Sequence, residues 1–174
     1  MLKLSFLSLL LVSSFASAEE ARRANAHVHG LNNLSMVISQ NQVAISYEMP
    51  IVQLLDAHDE HDDHDEHDDH EELTVSDETL ATFNNYSQLF EFPKGAGCNL
   101  TSFKSGLHSV STEGDHKDVE LSYEFACSNP SQLKSLTINA FDRFSELETL
   151  NFEAVINNKA LTKSLKSDVN KVIF

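Results

Sequence analysis

The run Val119-Glu120-Leu121-Ser122-Tyr123-Glu124-Phe125-Ala126-Cys127 decides how the chain is read. Val119, Leu121, Tyr123 and Phe125 alternate with Glu120, Ser122 and Glu124, the period-two pattern of a strand with one buried face. Upstream, Cys98-Asn99-Leu100-Thr101-Ser102-Phe103 reads as a second strand, and Thr112-Glu113-Gly114-Asp115 offers the turn between them. The two strands form a hairpin with Cys98 and Cys127 near its open end. A two-residue turn at Glu113-Gly114 would point His108 away from His116, so His108 reads as a surface histidine.

Cys98 and Cys127 are the only cysteines. In a secreted chain such a pair reads first as a disulfide, and the hairpin is compatible with one. Thiolate ligands or a redox pair are the alternative, weakened by the lack of Cys-x-x-Cys spacing.

The same pattern recurs on both sides. Leu34, Met36 and Ile38 share one parity, Gln40-Asn41-Gln42 is a turn signal, and Val43-Ala44-Ile45-Ser46-Tyr47 follows. This is another hairpin, with a bulge or kink expected at Asn32-Asn33 and with Pro50 ending its second strand or confining it to an edge. Ser76 caps a predicted amphipathic helix over 77–90, in which Leu80, Phe83, Tyr86 and Phe90 recur at spacings of three and four. After a short turn at Asn129-Pro130 come a strand from Ser135 to Ala140, a short helix from Phe141 to Leu147 and a strand from Thr149 to Ile156. Asn157-Asn158 is a hairpin turn, and Leu161–Leu165 and Val169–Phe174 close the chain. The class is α+β: a mainly antiparallel β-sheet with two or three short helices.

One segment fits no core. Residues 56–72 read Asp-Ala-His-Asp-Glu-His-Asp-Asp-His-Asp-Glu-His-Asp-Asp-His-Glu-Glu. His58, His61, His64, His67 and His70 recur every third residue with two acids in each gap. Eleven of the chain's 27 carboxylates lie here, with no basic residue among them. Such a segment repels itself and buries no apolar surface, so it is expected to be a disordered loop. Imidazole beside carboxylate is, however, a ligand set for a divalent ion, zinc above all, with nickel and copper able to compete in vitro. A step of three puts five side chains on one side of neither a helix nor a strand. The tract therefore predicts several exchangeable sites rather than one closed site. Binding competes with protons and weakens as pH falls.

The N-terminus carries a targeting pattern. Lys3 precedes an apolar run from Leu4 to Phe15, and Ala16-Ser17-Ala18 fits a cleavage site, so residues 1–18 read as a signal peptide cut after Ala18. The run is shorter than the ~20 residues that span a membrane. No cysteine stands at the cleavage site, which argues against a lipid anchor. Residues 19–174 then form a single domain large enough for a real core. Removing Lys3 takes the net charge from −15 to −16, and setting aside the eleven acids of the tract leaves −5. The acidity is local and speaks against nucleic acid and anionic membrane as partners. No nucleophile elbow, His-Glu-x-x-His helix or phosphate loop is present, and the chain reads as a non-enzyme.

His27-Val28-His29-Gly30, the hairpin ending at Pro50, and Cys98-Asn99-Leu100-Thr101-Ser102 together resemble the ZrgA-type periplasmic zinc uptake proteins. The resemblance continues through His116-Lys117-Asp118-Val119, Ser122-Tyr123-Glu124-Phe125-Ala126-Cys127-Ser128-Asn129-Pro130, Leu133, Phe141-Asp142-Arg143-Phe144 and Leu147. It implies zinc handling in the periplasm of a Gram-negative bacterium beside an ABC-type zinc importer, and a His/Asp-rich insertion is similar to that of such proteins. His27 and His29, one residue apart, fall on the same face of a strand and can chelate one ion. The resemblance favours a site there, with His116 completing it.

The expectation is a periplasmic zinc-binding protein that captures, buffers or delivers zinc for an importer. The alternatives are a non-catalytic interaction subunit of a transport system, or a nickel or calcium reservoir.

Overall fold

The computed structural model describes residues 30–54, 75–109 and 117–174. In chain order the elements are β1 (Leu31–Ser39), β2 (Gln42–Pro50), α1 (Asp77–Thr82), β3 (Phe90–Glu91), β4 (Cys98–Ser109), β5 (Lys117–Cys127), β6 (Ser135–Ile138), α2 (Ala140–Arg143), β7 (Thr149–Ile156), β8 (Lys159–Leu165) and β9 (Lys171–Ile173). The alternating runs became strands, and their apolar parity became the buried face. Leu34, Met36 and Ile38 of β1, Ile45, Tyr47 and Met49 of β2, the four apolar residues of β5, and Leu150, Phe152 and Ala154 of β7 are all buried. The class is α+β, as read from the sequence.

Six strands form one sheet in the order β4-β5-β2-β1-β7-β8, and β3-β6-β9 form a second. Neighbours are antiparallel except β1 and β7, which run parallel from Leu31↔Thr149 to Ile38↔Ile156. Parallel neighbours need a long crossover. Here the chain leaves β5, lays down β6 in the second sheet, passes α2 and returns as β7. Aromatic rings join the layers: Phe90 of β3 meets Tyr123 edge-on at 5.4 Å and Phe92 meets Phe125 edge-on at 4.9 Å. The hydroxyl of Tyr123 donates to the carbonyl of Phe83 at 2.9 Å.

Several local expectations change. The helix over 77–90 stops at Thr82, and a 3-10 turn over Tyr86–Gln88 and the short β3 follow. Ser76 does cap it, its hydroxyl accepting from the Thr79 amide at 3.1 Å. Asn84-Asn85 turn the chain, so Phe83 and Phe90 reach the core from separate elements, and the three-and-four spacing is met without a continuous helix. The second helix is a single turn from Ala140, and β6 ends at Ile138. Asn32-Asn33 make no bulge, since β1 pairs in unbroken register with β7. The irregularity lies in β4, between Leu100 and Ser102. Pro50 is the last residue of a central strand, not part of an edge; its missing N–H falls where the ladder ends. Asn157 and Asn158 both take left-handed φ, +50° and +67°, as a two-residue hairpin turn requires. The expected signal peptide and the disordered loop lie outside the described residues.

Cys98 and Cys127 are bonded as a disulfide and stand directly opposite in register. They therefore serve neither as thiolate ligands nor as free thiols in this state.

Candidate metal centre

The topology brings particular strand ends together. Leu31 begins β1 beside Thr149, which begins β7. Pro50 ends β2 beside Asp118, at the start of β5. Ser109 ends β4 beside Lys117, and Leu165 ends β8 beside Leu150. All these residues lie at one end of the six-stranded sheet. The chain carrying His27 and His29 joins the sheet there, through Gly30. The chain that leads into the His/Asp tract leaves there, from Pro50 through a 3-10 turn to Leu54. The 110–116 segment with His116 closes the β4–β5 hairpin at the same end.

His27, His29, His58, His61, His64, His67, His70 and His116 themselves lie outside the described residues. His108 is at the last pair but one of the β4–β5 ladder, its Cα opposite Asp118. Ser109 pairs with Lys117, whereas a two-residue Glu113-Gly114 turn would pair Ser109 with Asp118. The expected Glu113-Gly114 turn and His116 lie outside the described residues.

Gly30 anchors the N-terminal entry. Its φ is +81°, and an added Cβ would lie 2.8 Å from the carbonyl oxygen of Glu146. Its own carbonyl accepts from the amides of Glu148 and Thr149 at 2.9 and 3.0 Å. Glycine is required here by both the left-handed conformation and the close approach. Gly30→Ala is expected to cost about 1–3 kcal/mol, read from urea melts, with the loss falling first on the β1–β7 end.

Sequence reasoning missed the acidic row beside this end. Glu48 of β2 and Glu120 of β5 are register partners, and Glu48 also pairs with Asn33 of β1. Ser46 and Ser122 donate to Glu120 at 3.2 and 3.4 Å, and Asn151 donates to Asn33 at 3.3 Å. Like charges directly opposed on neighbouring strands are unfavourable in themselves. The only signal in the sequence was the polar parity of each strand, which says nothing about which carboxylates become neighbours. Among the described residues, no group of three or more His, Cys, Asp or Glu side chains is arranged to hold a metal. None of the described helices is long and apolar enough to cross a membrane.

The sheet thus receives, at one end, the chain segments that carry the histidines. The chain belongs to the ZrgA family: the family model described as ZrgA family zinc uptake protein matches residues 26–174, from just before His27 through both cysteines to the C-terminus. That membership ties the chain to zinc uptake. No curated protein matches it.

Proposed function

We propose that the chain is a periplasmic zinc-binding protein that captures, buffers or delivers zinc to an ABC-type zinc importer, with zinc as cargo. The observation that carries this reading is the meeting, at one end of the sheet, of the strand ends that lead to His27 and His29, to the tract and to His116. The tract at His58, His61, His64, His67 and His70 collects ions in shifting sets of two to four imidazoles. Its freedom costs ordering entropy on binding, which lowers affinity and favours release. His27 and His29, with His116, form a more ordered site at the base.

Calorimetric titration of the chain without its signal peptide, with and without residues 56–72, tests this. The intact chain is expected to take up several zinc ions, and the shortened chain about one, with higher affinity than the average tract site. An unchanged stoichiometry after the deletion rejects the tract as collector. Absence of zinc binding by both forms rejects the reading.

A further inference from the structure

The two edges of the six-stranded sheet are finished differently. β8 carries Lys159 and Lys163, the latter opposite Phe152 on the core-facing parity, and Lys166 follows directly. Lysines along an edge, one of them on the inward side, discourage a further strand from adding. β4 is longer, Cys98–Ser109, and β5 is its only strand neighbour. The irregularity between Leu100 and Ser102 interrupts its first part, but from Ser102 to Ser109 the ladder is regular, and Lys104 is the only Lys, Arg, Asp or Glu in that run. A long, regular edge of this kind is a template for strand addition.

Gly106 lies within this run, and nothing in a single copy calls for glycine there. Its φ is not positive, and an added Cβ would meet nothing within 4 Å. Glycine inside a strand weakens it, and where neither bulge nor bend requires one it marks the close approach of another group. The missing side chain leaves a hollow of about 210 Å³ lined by Lys104, Ser105, Gly106, Leu107, Glu120 and Ser122. Gly106 stands opposite Glu120, and Lys104 opposite Ser122. On the other face of the sheet the edge is short of apolar cover. Leu107 shares the inward parity of its partner Val119 yet is 40 % exposed, and Phe103 is only partly buried.

We propose that this edge is an interface between two copies of the chain, paired antiparallel through β4 about a two-fold axis at Ser105. In that register Lys104 of each copy stands opposite Gly106 of the other. The lysine stem crosses the bare glycine into the hollow, and its ammonium meets Glu120, whose carboxylate accepts from Ser46 and Ser122. On the core-facing side Leu107 of each copy covers Phe103 of the other. The neighbouring symmetric registers lack this fit. Centring the pair on Lys104 sets two ammonium groups against each other, and centring it on Gly106 leaves both hollows facing each other unfilled. Like charges directly opposed destabilise a strand pair, whereas opposite charges stabilise it. One surface therefore supplies both halves of the contact, as a closed two-fold dimer requires.

Sedimentation equilibrium of the chain without residues 1–18 tests the interface. A strand pair of this length buries less than a standard interface, so the dimer is expected to be weak and to show at chain concentrations up to about 1 mM. A chain that stays monomeric throughout overturns the proposal. Lys104→Glu is expected to weaken the dimer about tenfold, because both cross-strand charge pairs turn from attractive to repulsive. Adding Glu120→Lys to that variant reverses both signs and is expected to restore dimerisation. Both positions lie on the outer face of the sheet, so circular dichroism of the variants should match that of the unaltered chain. A dimer unaffected by Lys104→Glu, or one that Glu120→Lys does not restore, overturns the proposal. Ser105→Cys checks the register. It is expected to give a disulfide-linked dimer on mild oxidation, whereas Leu107→Cys, which faces Phe103 of the other copy, is not. Equal crosslinking of the two variants overturns the pairing about Ser105.

Discussion

Truncating Phe125 to alanine is expected to destabilise the protein by about 3–5 kcal/mol, the usual cost of deleting a fully buried aromatic ring. Phe125 sits on β5 facing inward, and its ring meets Tyr86 at 4.8 Å and Phe92 at 4.9 Å, both edge-on. Phe90 and Tyr123 stand at 6.1 and 6.2 Å. These rings come from the large sheet, from β3 in the small sheet and from the segments around it. Removing Phe125 therefore opens a cavity at the seam between layers, where neither sheet can collapse into the space without breaking its own ladder. Offset and edge-to-face ring contacts, worth about 0.5–1.5 kcal/mol each beyond area burial, are lost with it. For a chain of this size the midpoint of thermal unfolding should fall by on the order of 10 °C. Phe125→Leu, which refills most of the volume, should lose less than half as much. Guanidinium melts followed by circular dichroism give both values. A loss below about 1 kcal/mol for Phe125→Ala, the level of an ordinary surface change, would mean that the layers are not held together at this cluster.

The strands were legible because burial on one face writes itself into the sequence as alternation, and Val119 to Phe125 and Leu150 to Ala154 carry it without interruption. What alternation leaves open is which strand lies beside which. The parallel pairing of β1 with β7 joins Asn33 to Asn151 across 118 residues, with no turn between them to fix the partner. Short helices were read too long for a related reason. Phe83 and Phe90 are spaced as on one helical face, but each is buried against a different neighbour, and Asn84-Asn85 supply the turn that lets the backbone change course.

The histidines stand out in the sequence by type and spacing but not by place. The triplet spacing of the tract suggests metal ligands from the residues themselves, whereas for His27 and His29 the suggestion comes from the family resemblance. That the segments carrying them join the sheet at one end follows only from register: antiparallel hairpins put the end of β2 beside the starts of β1 and β5, and the end of β4 beside Lys117. The Glu48–Glu120 pair arises in the same way, from two strands whose polar positions look unremarkable one at a time.

Replacing both cysteines, Cys98→Ala/Cys127→Ala, is expected to cost about 3–4 kcal/mol, from the loop-closure entropy that a crosslink of this span removes from the unfolded chain. The bond joins residues separated by 29 positions at the open end of the β4–β5 hairpin. Reduced, the unfolded chain regains the freedom of that loop, while the folded ladder from Leu100 to Ser109 keeps its hydrogen bonds. The loss should thus appear as a lower midpoint with the native circular dichroism spectrum preserved below it. The double variant is the clean form of the test, because a single replacement leaves a thiol free to form dimers. The site bears on function through its position. Cys98 and Cys127 stand at one end of the hairpin, and Ser109 and Lys117, which bracket the His116 segment, stand at the other. Zinc stoichiometry and affinity of the folded double variant should therefore match those of the unaltered chain. A variant that folds yet loses an ion would make the sulfurs ligands after all, and would move the metal centre to the opposite end of the sheet.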